Sequence, residues 1–169
     1  SPLRRCADGR YEHVTWDDYI ANLIEALEEA RGIAKAPKIN VLGFCIGGTL
    51  LSSALAVLEK KGSDHAASLT LLTTLLDFTN VGDIRAYIDR NFVAKREKQL
   101  EKGGLVPGGE LAGAFSSLRA NDLVWPYVVS NYLRGEQPPA FDLLCWNSDS
   151  TNLPGPMYCY YLRNTYLEN

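Results

Sequence analysis

One cysteine, Cys45, stands at the centre of Gly43-Phe44-Cys45-Ile46-Gly47-Gly48, with an apolar run before it and helix-forming residues after it. A thiol in such a setting suits covalent acyl chemistry. Its thiolate attacks an acyl carbon, holds the acyl group as a thioester and passes it to an acceptor. That chemistry asks three things of the chain. The sulfur must project from the backbone. Positive potential must favour the thiolate. A backbone N–H must await the carbonyl oxygen as it becomes an oxyanion.

The flanking residues supply elements for all three. Ile39-Asn40-Val41-Leu42 is a short apolar run suited to a buried strand, and Thr49–Leu58 is a good helix former. Strand, tight turn and helix form the nucleophile elbow of the α/β-hydrolase pattern, with Cys where Ser usually sits. Gly43 and Gly47, two before and two after the apex, are expected to let neighbouring backbone approach closely, with Gly48 beside them. The helix N-terminus points partial positive charge at the thiol, and the Ile46 N–H is placed to donate to an oxyanion.

The same letters have plainer readings. The twenty residues from Ile39 to Leu58 carry no charge, which is a membrane-span length. Three glycines, Asn40, Thr49, Ser52 and Ser53 argue against one. A free cysteine is often simply a core residue. A phosphate-binding loop would need a Lys-Ser/Thr pair or a G-x-G-x-x-G register, and neither is present.

With 169 residues the chain is one domain or part of one. A formal net charge of −3 gives no electrostatic case for nucleic acid. Cys6, Cys45, Cys145 and Cys159 are widely spaced, without metal-like pairing, and read as free thiols of a reducing compartment; no secretion signal or metal site is expected.

Along the chain, residues 1–12 carry no clear pattern. Thr15 and Asp18 form a helix-start box, and Trp16, Ile20, Leu23, Leu27 and Ala30 follow at helical spacing, with Gly32 expected to close the helix. Ser68–Leu76 reads as a second buried strand, so residues 13–80 predict part of a parallel α/β core. Residues 81–169 predict a mostly helical cap: Asp83–Lys102, Glu110–Leu118, Leu123–Leu133 and Pro156–Leu167, with no further strand. Its aromatics, Trp125, Tyr127, Tyr132, Phe141, Trp146, Tyr158, Tyr160, Tyr161 and Tyr166, are expected to pack over the elbow. The fold class is therefore α/β, a partial α/β-hydrolase core with a helical cap.

A nucleophile of this kind needs a histidine base and an orienting carboxylate, which in this pattern follow it in the order acid, then His. The histidines are His13 and His65, and both read as structural or surface residues. Asp77, at the end of the second strand, reads either as an alternate acid or as a turn cap. Two strands are few for a sheet covered on both faces. The expectation is an internal fragment whose acid and base lie elsewhere, without turnover by itself.

At these residues the chain resembles class I polyhydroxyalkanoate synthases. The matching stretches are Thr15–Ile20, Lys38–Leu50, Leu69–Phe78, Asn121–Gly135 and Phe141–Leu167. The Cys45 box is shared more widely; together with LLTTLLDF and the WN…TNLPGP segment it is specific. Ser1–Arg10 is not placed by the resemblance, and Pro126 and Cys145 stand where relatives commonly carry other residues. The resemblance implies polymerisation of (R)-3-hydroxyacyl-CoA, 3-hydroxybutyryl-CoA foremost, through a Cys45 thioester with release of CoA. It implies no cofactor beyond that acyl-CoA substrate. It also implies a homodimer at the surface of cytoplasmic polyester granules, with the growing polyester chain and granule-associated proteins as partners. The competing functions are a cysteine esterase or thioesterase on the same elbow and a non-catalytic domain.

Overall fold

The computed structural model describes residues 10–137 and 150–169. They fall into two compact units. One holds Val14–Val81 and Tyr160–Asn169; the other holds Gly82–Cys159 with the residues up to His13. The expected helical cap over 81–169 is thus corrected at its end, because Tyr160–Asn169 returns to the unit that carries Cys45. Cys6, Phe141, Cys145, Trp146 and most of the Gln137-Pro138-Pro139 segment lie outside the described residues.

The Cys45 unit begins with α1, Trp16–Ala34. Thr15 caps it as a full capping box: the Asp18 N–H donates to the Thr15 hydroxyl and the Thr15 N–H donates to the Asp18 carboxylate. Asp18 is held below the usual carboxylate range by these bonds from Thr15. The helix runs past Gly32, and Lys35 ends it in the left-handed conformation at φ 50°. Gly32 is tolerated inside the last turn, where no neighbour selects for or against a side chain.

Strand β1, Ile39–Phe44, pairs in parallel with β2, Ala66–Leu72, across the helix α2, Ile46–Lys60. The ladder runs from Ile39 opposite Ala66 to Phe44 opposite Leu72. Val41 and Gly43 face inward, and Leu27, Val41, Leu51 and Leu58 form a core with Ile24, Ile39, Leu55 and Ala66 around it. The opposite face is bare: Leu42 is 60% and Phe44 63% exposed. β2 stops four residues before its expected end at Leu76, because Thr73 turns the chain at φ 46°.

In the other unit the expected helix over 83–102 is split. A 3-10 helix covers Gly82–Tyr87, and α3 covers Arg90–Leu100. Asp89 divides them, since its carboxylate accepts from the Phe92 N–H at 2.6 Å and caps the second piece. Two strands that the sequence did not announce, β3 (Leu105–Val106) and β4 (Leu153–Pro154), pair antiparallel. The loop around them is fixed by Gly155 N–H to Gly104 O at 2.8 Å and Gly108 N–H to Asn152 Oδ1 at 3.0 Å. Gly104 N–H also donates to Glu12 O, which ties residues just before His13 to this unit. Val93, Val106, Pro154 and Met157 are fully buried there.

α4 spans Gly108–Leu118. The expected helix over Leu123–Leu133 breaks at Val124, and Pro126 sits in the first turn of the short helix Trp125–Tyr127. Proline is tolerated at a helix start, where its missing N–H costs nothing. A π-helical turn, Val128–Leu133, continues from it. The final helix, Gly155–Tyr161, passes into a second π-helical turn, Leu162–Leu167. Among the described residues no helix is long and apolar enough to cross a membrane.

Candidate active site at the Cys45 elbow

Cys45 follows the last residue of β1 and precedes the first residue of α2. Its backbone adopts φ 52° and ψ −129°, a region that L-residues rarely occupy and that costs about 1–3 kcal/mol. Surrounding bonds hold it there. The Cys45 N–H donates to Leu72 O at 3.0 Å, extending the ladder by one bond, and the Gly48 N–H donates to Cys45 O at 3.0 Å. The thiol makes no capping bond to the helix, and Cys45 is an exposed free thiol. Among the described residues, none seals Cys45 into a core. Cys159, by contrast, is buried.

Two glycines make the turn geometrically feasible. A Cβ on Gly43 would stand 2.3 Å from the Gly48 Cα, and a Cβ on Gly48 would stand 2.1 Å from the Thr74 hydroxyl oxygen. The close approach expected at Gly47 is instead made by Gly48: beyond its chain neighbours and its own helix backbone, no described atom lies within 4 Å of the place where a Gly47 Cβ would be. Ile46 opens α2, so its N–H is one of the orphan donors of a helix start, and among the described residues nothing accepts from it. Thiol, helix N-terminus and unengaged N–H thus converge at one corner of the sheet.

The loop after β2 is braced against this corner. The Thr49 hydroxyl donates to Leu75 O at 2.8 Å. Further on, the Asp77 carboxylate accepts from the Thr79 N–H at 2.8 Å, the Thr79 hydroxyl at 2.6 Å and the Asn169 amide at 3.1 Å. Those bonds, from the Thr79 side chain foremost, hold Asp77 below the usual carboxylate range. This is the turn-capping role rather than that of an acid paired with a histidine.

Aromatic rings line the same unit. Trp16 stacks on Tyr160 and Tyr161 with centroids 5.6 Å from each. Phe78 meets Tyr161 edge-on at 6.0 Å and Tyr166 at 5.1 Å. Burial pushes the Tyr161 hydroxyl well above the ordinary tyrosine value, helped by Tyr166 and, less, by the charge of Cys45. Of the aromatics expected over the elbow, Tyr160, Tyr161 and Tyr166 belong to its unit; Trp125, Tyr127 and Tyr132 belong to the other and are exposed.

Of the two histidines, one belongs to the Cys45 unit and one to the other. His65 precedes β2, at the end of the parallel pair opposite Cys45 and about 20 Å along the strands by their rise per residue. Its Nδ1 is 2.8 Å from the Arg31 guanidinium and its Nε2 3.8 Å from Glu28. His13 lies in the other unit with its ring against Gly103. Among the described residues no group of three His, Cys, Asp or Glu side chains is arranged to hold a metal ion.

The chain is similar to several curated proteins. The chain is 58% identical over 161 residues to the poly(3-hydroxyalkanoate) polymerase subunit PhaC of Cupriavidus necator, covering 92% of this chain and 27% of that protein. It is 41% identical over 166 residues to the subunit of the same name from Rhizobium meliloti, covering 96% of this chain and 27% of the relative. It is 40% identical over 163 residues to the poly(3-hydroxyalkanoate) polymerase of Methylorubrum extorquens, covering 96% and 27%. The chain therefore spans roughly a quarter of the length of these curated relatives. Residues 1–169 match the family described by the alpha/beta hydrolase fold, and the chain, with its strand, strained Cys45 turn and helix, belongs to that family.

Proposed function

We propose that this chain carries the nucleophile of a polyhydroxyalkanoate synthase, with Cys45 as the residue that bears the growing acyl chain. The observation that supports it most is the conformation of Cys45, an exposed thiol at φ 52° and ψ −129° between a strand end and a helix start. Strain of this kind persists only where the surroundings impose it. The names of the relatives supply the reaction class.

The reaction proceeds in two exchanges. The Cys45 thiolate attacks the carbonyl carbon of a 3-hydroxyacyl-CoA; the new C–S bond forms, the bond to the CoA sulfur breaks, and CoA leaves as a thiolate that takes up a proton. The Ile46 N–H donates to the oxyanion between these steps. In the second exchange the hydroxyl oxygen of another hydroxyacyl unit attacks the Cys45 thioester, an ester C–O bond forms and the C–S bond breaks. Exchange of one thioester for another is near energetic balance, which suits Cys in a transferase. The hydroxyl proton goes to a base that neither His65 nor Asp77 provides, so the 169-residue chain by itself is expected to show no turnover.

The experiment uses a polypeptide of the relatives' full length that carries this stretch, with 3-hydroxybutyryl-CoA as substrate. CoA release with polymer, an acyl adduct on Cys45 in the digested protein and loss of both in Cys45→Ala are expected. Free 3-hydroxybutyrate as the main product would make it a thioesterase. Full activity in Cys45→Ala would refute the assignment.

A further inference from the structure

The elbow rests on a residue outside the Cys45 box, in the loop after β2. β1 and β2 end together, at Phe44 opposite Leu72, and both chains then turn through a positive φ. Cys45 does so at 52° and Thr73 at 46°. A β-branched residue at positive φ is an outlier that needs a compensating reason. The turn at Thr73 carries Thr74 back beneath the elbow. There its hydroxyl oxygen lies 3.2 Å from Cys45 O, 3.1 Å from Leu72 O and 3.4 Å from Gly43 O. Three carbonyls, from the apex, from β1 and from the end of β2, thus surround one donor.

The side chain also fills a space shaped for it. The atoms nearest to a Cβ built on Gly48 are Thr74 Oγ1 at 2.1 Å, Cγ2 at 2.6 Å and Cβ at 2.8 Å. Gly48 therefore lacks a side chain because Thr74 occupies its place. Gly48 is also the residue whose N–H donates to Cys45 O. The same carbonyl is held from two sides, by the helix and by Thr74.

We propose that Thr74 is a positioning residue for Cys45: its hydroxyl, whose single proton is shared among the carbonyls of the apex and of both strand ends, holds the apex carbonyl in place and fixes the direction in which the sulfur and the Ile46 N–H point. This rests on the assignment of Cys45 as nucleophile and extends it to the loop after β2. Thr74 touches neither substrate nor sulfur in this role. It sets the backbone from which both catalytic groups project.

The test compares Thr74→Ser, Thr74→Ala and Thr74→Val in the full-length polypeptide with 3-hydroxybutyryl-CoA, reading CoA release and the alkylation rate of Cys45 by iodoacetamide at fixed pH. Loss of the hydroxyl in Ala and Val is expected to lower kcat by about 10- to 100-fold, the range for a reacting group displaced by up to about 1 Å, with KM changed less than about twofold. Cys45 alkylation is expected to slow with it, and Ser to restore both. If Val does not fold, the Ser and Ala pair, one oxygen apart, decides the matter. Equal kcat in Ser and Ala, or a loss that Ser does not restore, overturns the proposal. Cys45→Ala serves as the separate control: its inactivity beside a fully active Thr74→Ala would remove Thr74 and leave the nucleophile, whereas an active Cys45→Ala would remove the nucleophile itself.

Discussion

Gly43→Ala should damage the elbow far more than Gly47→Ala, although both glycines flank the cysteine at equal distance in sequence. The new methyl at 43 would stand 2.3 Å from the Gly48 Cα, 2.9 Å from the Gly48 nitrogen and 3.3 Å from the Gly47 carbonyl carbon. All three are backbone atoms, so no rotamer change relieves the clash. Reaching ordinary contact, which begins at 3.4 Å, requires β1 and α2 to separate by about 1 Å. Overpacking of this kind costs about 1–3 kcal/mol, and about 1 Å at a reacting group costs on the order of 100-fold in rate. At Gly47 an added Cβ would meet nothing within 4 Å beyond its chain neighbours and its own helix backbone, and the residue sits in the first turn of α2, where Ala is the better helix former by up to about 1 kcal/mol. The assay is thermal unfolding of the two variants in the full-length polypeptide, followed by timed alkylation of Cys45 with the buried Cys159 as internal reference. A Gly43→Ala protein that melts and reacts like the parent would refute the packing argument, as would a Gly47→Ala protein equally impaired.

Thr15→Ala removes the hydroxyl half of the α1 capping box and is expected to cost about 1 kcal/mol, read as a lower thermal midpoint. Lys35→Gly replaces a side chain at φ 50° and is expected to raise stability by up to about 1 kcal/mol, because glycine occupies that region without a Cβ penalty. Asp77 has a folded pKa below its ordinary 3.8, so its contribution is fully present above that value and is lost as pH falls through the folded pKa. Acid unfolding of Asp77→Asn should therefore show a smaller loss of stability below pH 3.8 than the parent; an unchanged acid limb would show that the Thr79 and Asn169 bonds contribute nothing.

The parts of this fold that were legible in sequence are those fixed by neighbours in the chain. The Thr15–Asp18 box, the apolar run of β1 and the glycine-flanked cysteine all carry their physics within a few residues, and each forms where expected. Features decided by distant partners were not legible. Thr73 belongs to a run of strand formers, LTLLTTLL, and nothing in that composition says that the strand must stop there and turn. Gly48 and Thr74 are 26 residues apart, so the reason for the second glycine of the pair is not visible in the box itself. β3 and β4 are two residues each, too short for any periodic signal, and they form because the Gly104–Gly155 and Gly108–Asn152 bonds bring their segments together. The return of Tyr160–Asn169 to the Cys45 unit is likewise tertiary: Tyr160 and Tyr161 find Trp16, and Asn169 finds Asp77 and the Phe78 N–H at 2.7 Å.

These distant contacts explain why a cysteine can be held at positive φ without a conformationally permissive residue at the apex. An isolated turn of this shape would relax, since its strain of about 1–3 kcal/mol exceeds any bond the turn makes within itself. Here the apex is bonded on three sides: through its N–H to β2, through its carbonyl to the first turn of α2, and through the same carbonyl to the loop after β2. The Thr49 hydroxyl closes the circuit by joining α2 to that loop at Leu75 O. Strain at Cys45 and strain at Thr73 are therefore parts of one arrangement, each strand end turning so that the other can be held. Releasing either turn removes the support of its neighbour, so substitutions on the two sides are expected to be non-additive, as they are for residues that share a hydrogen-bond network.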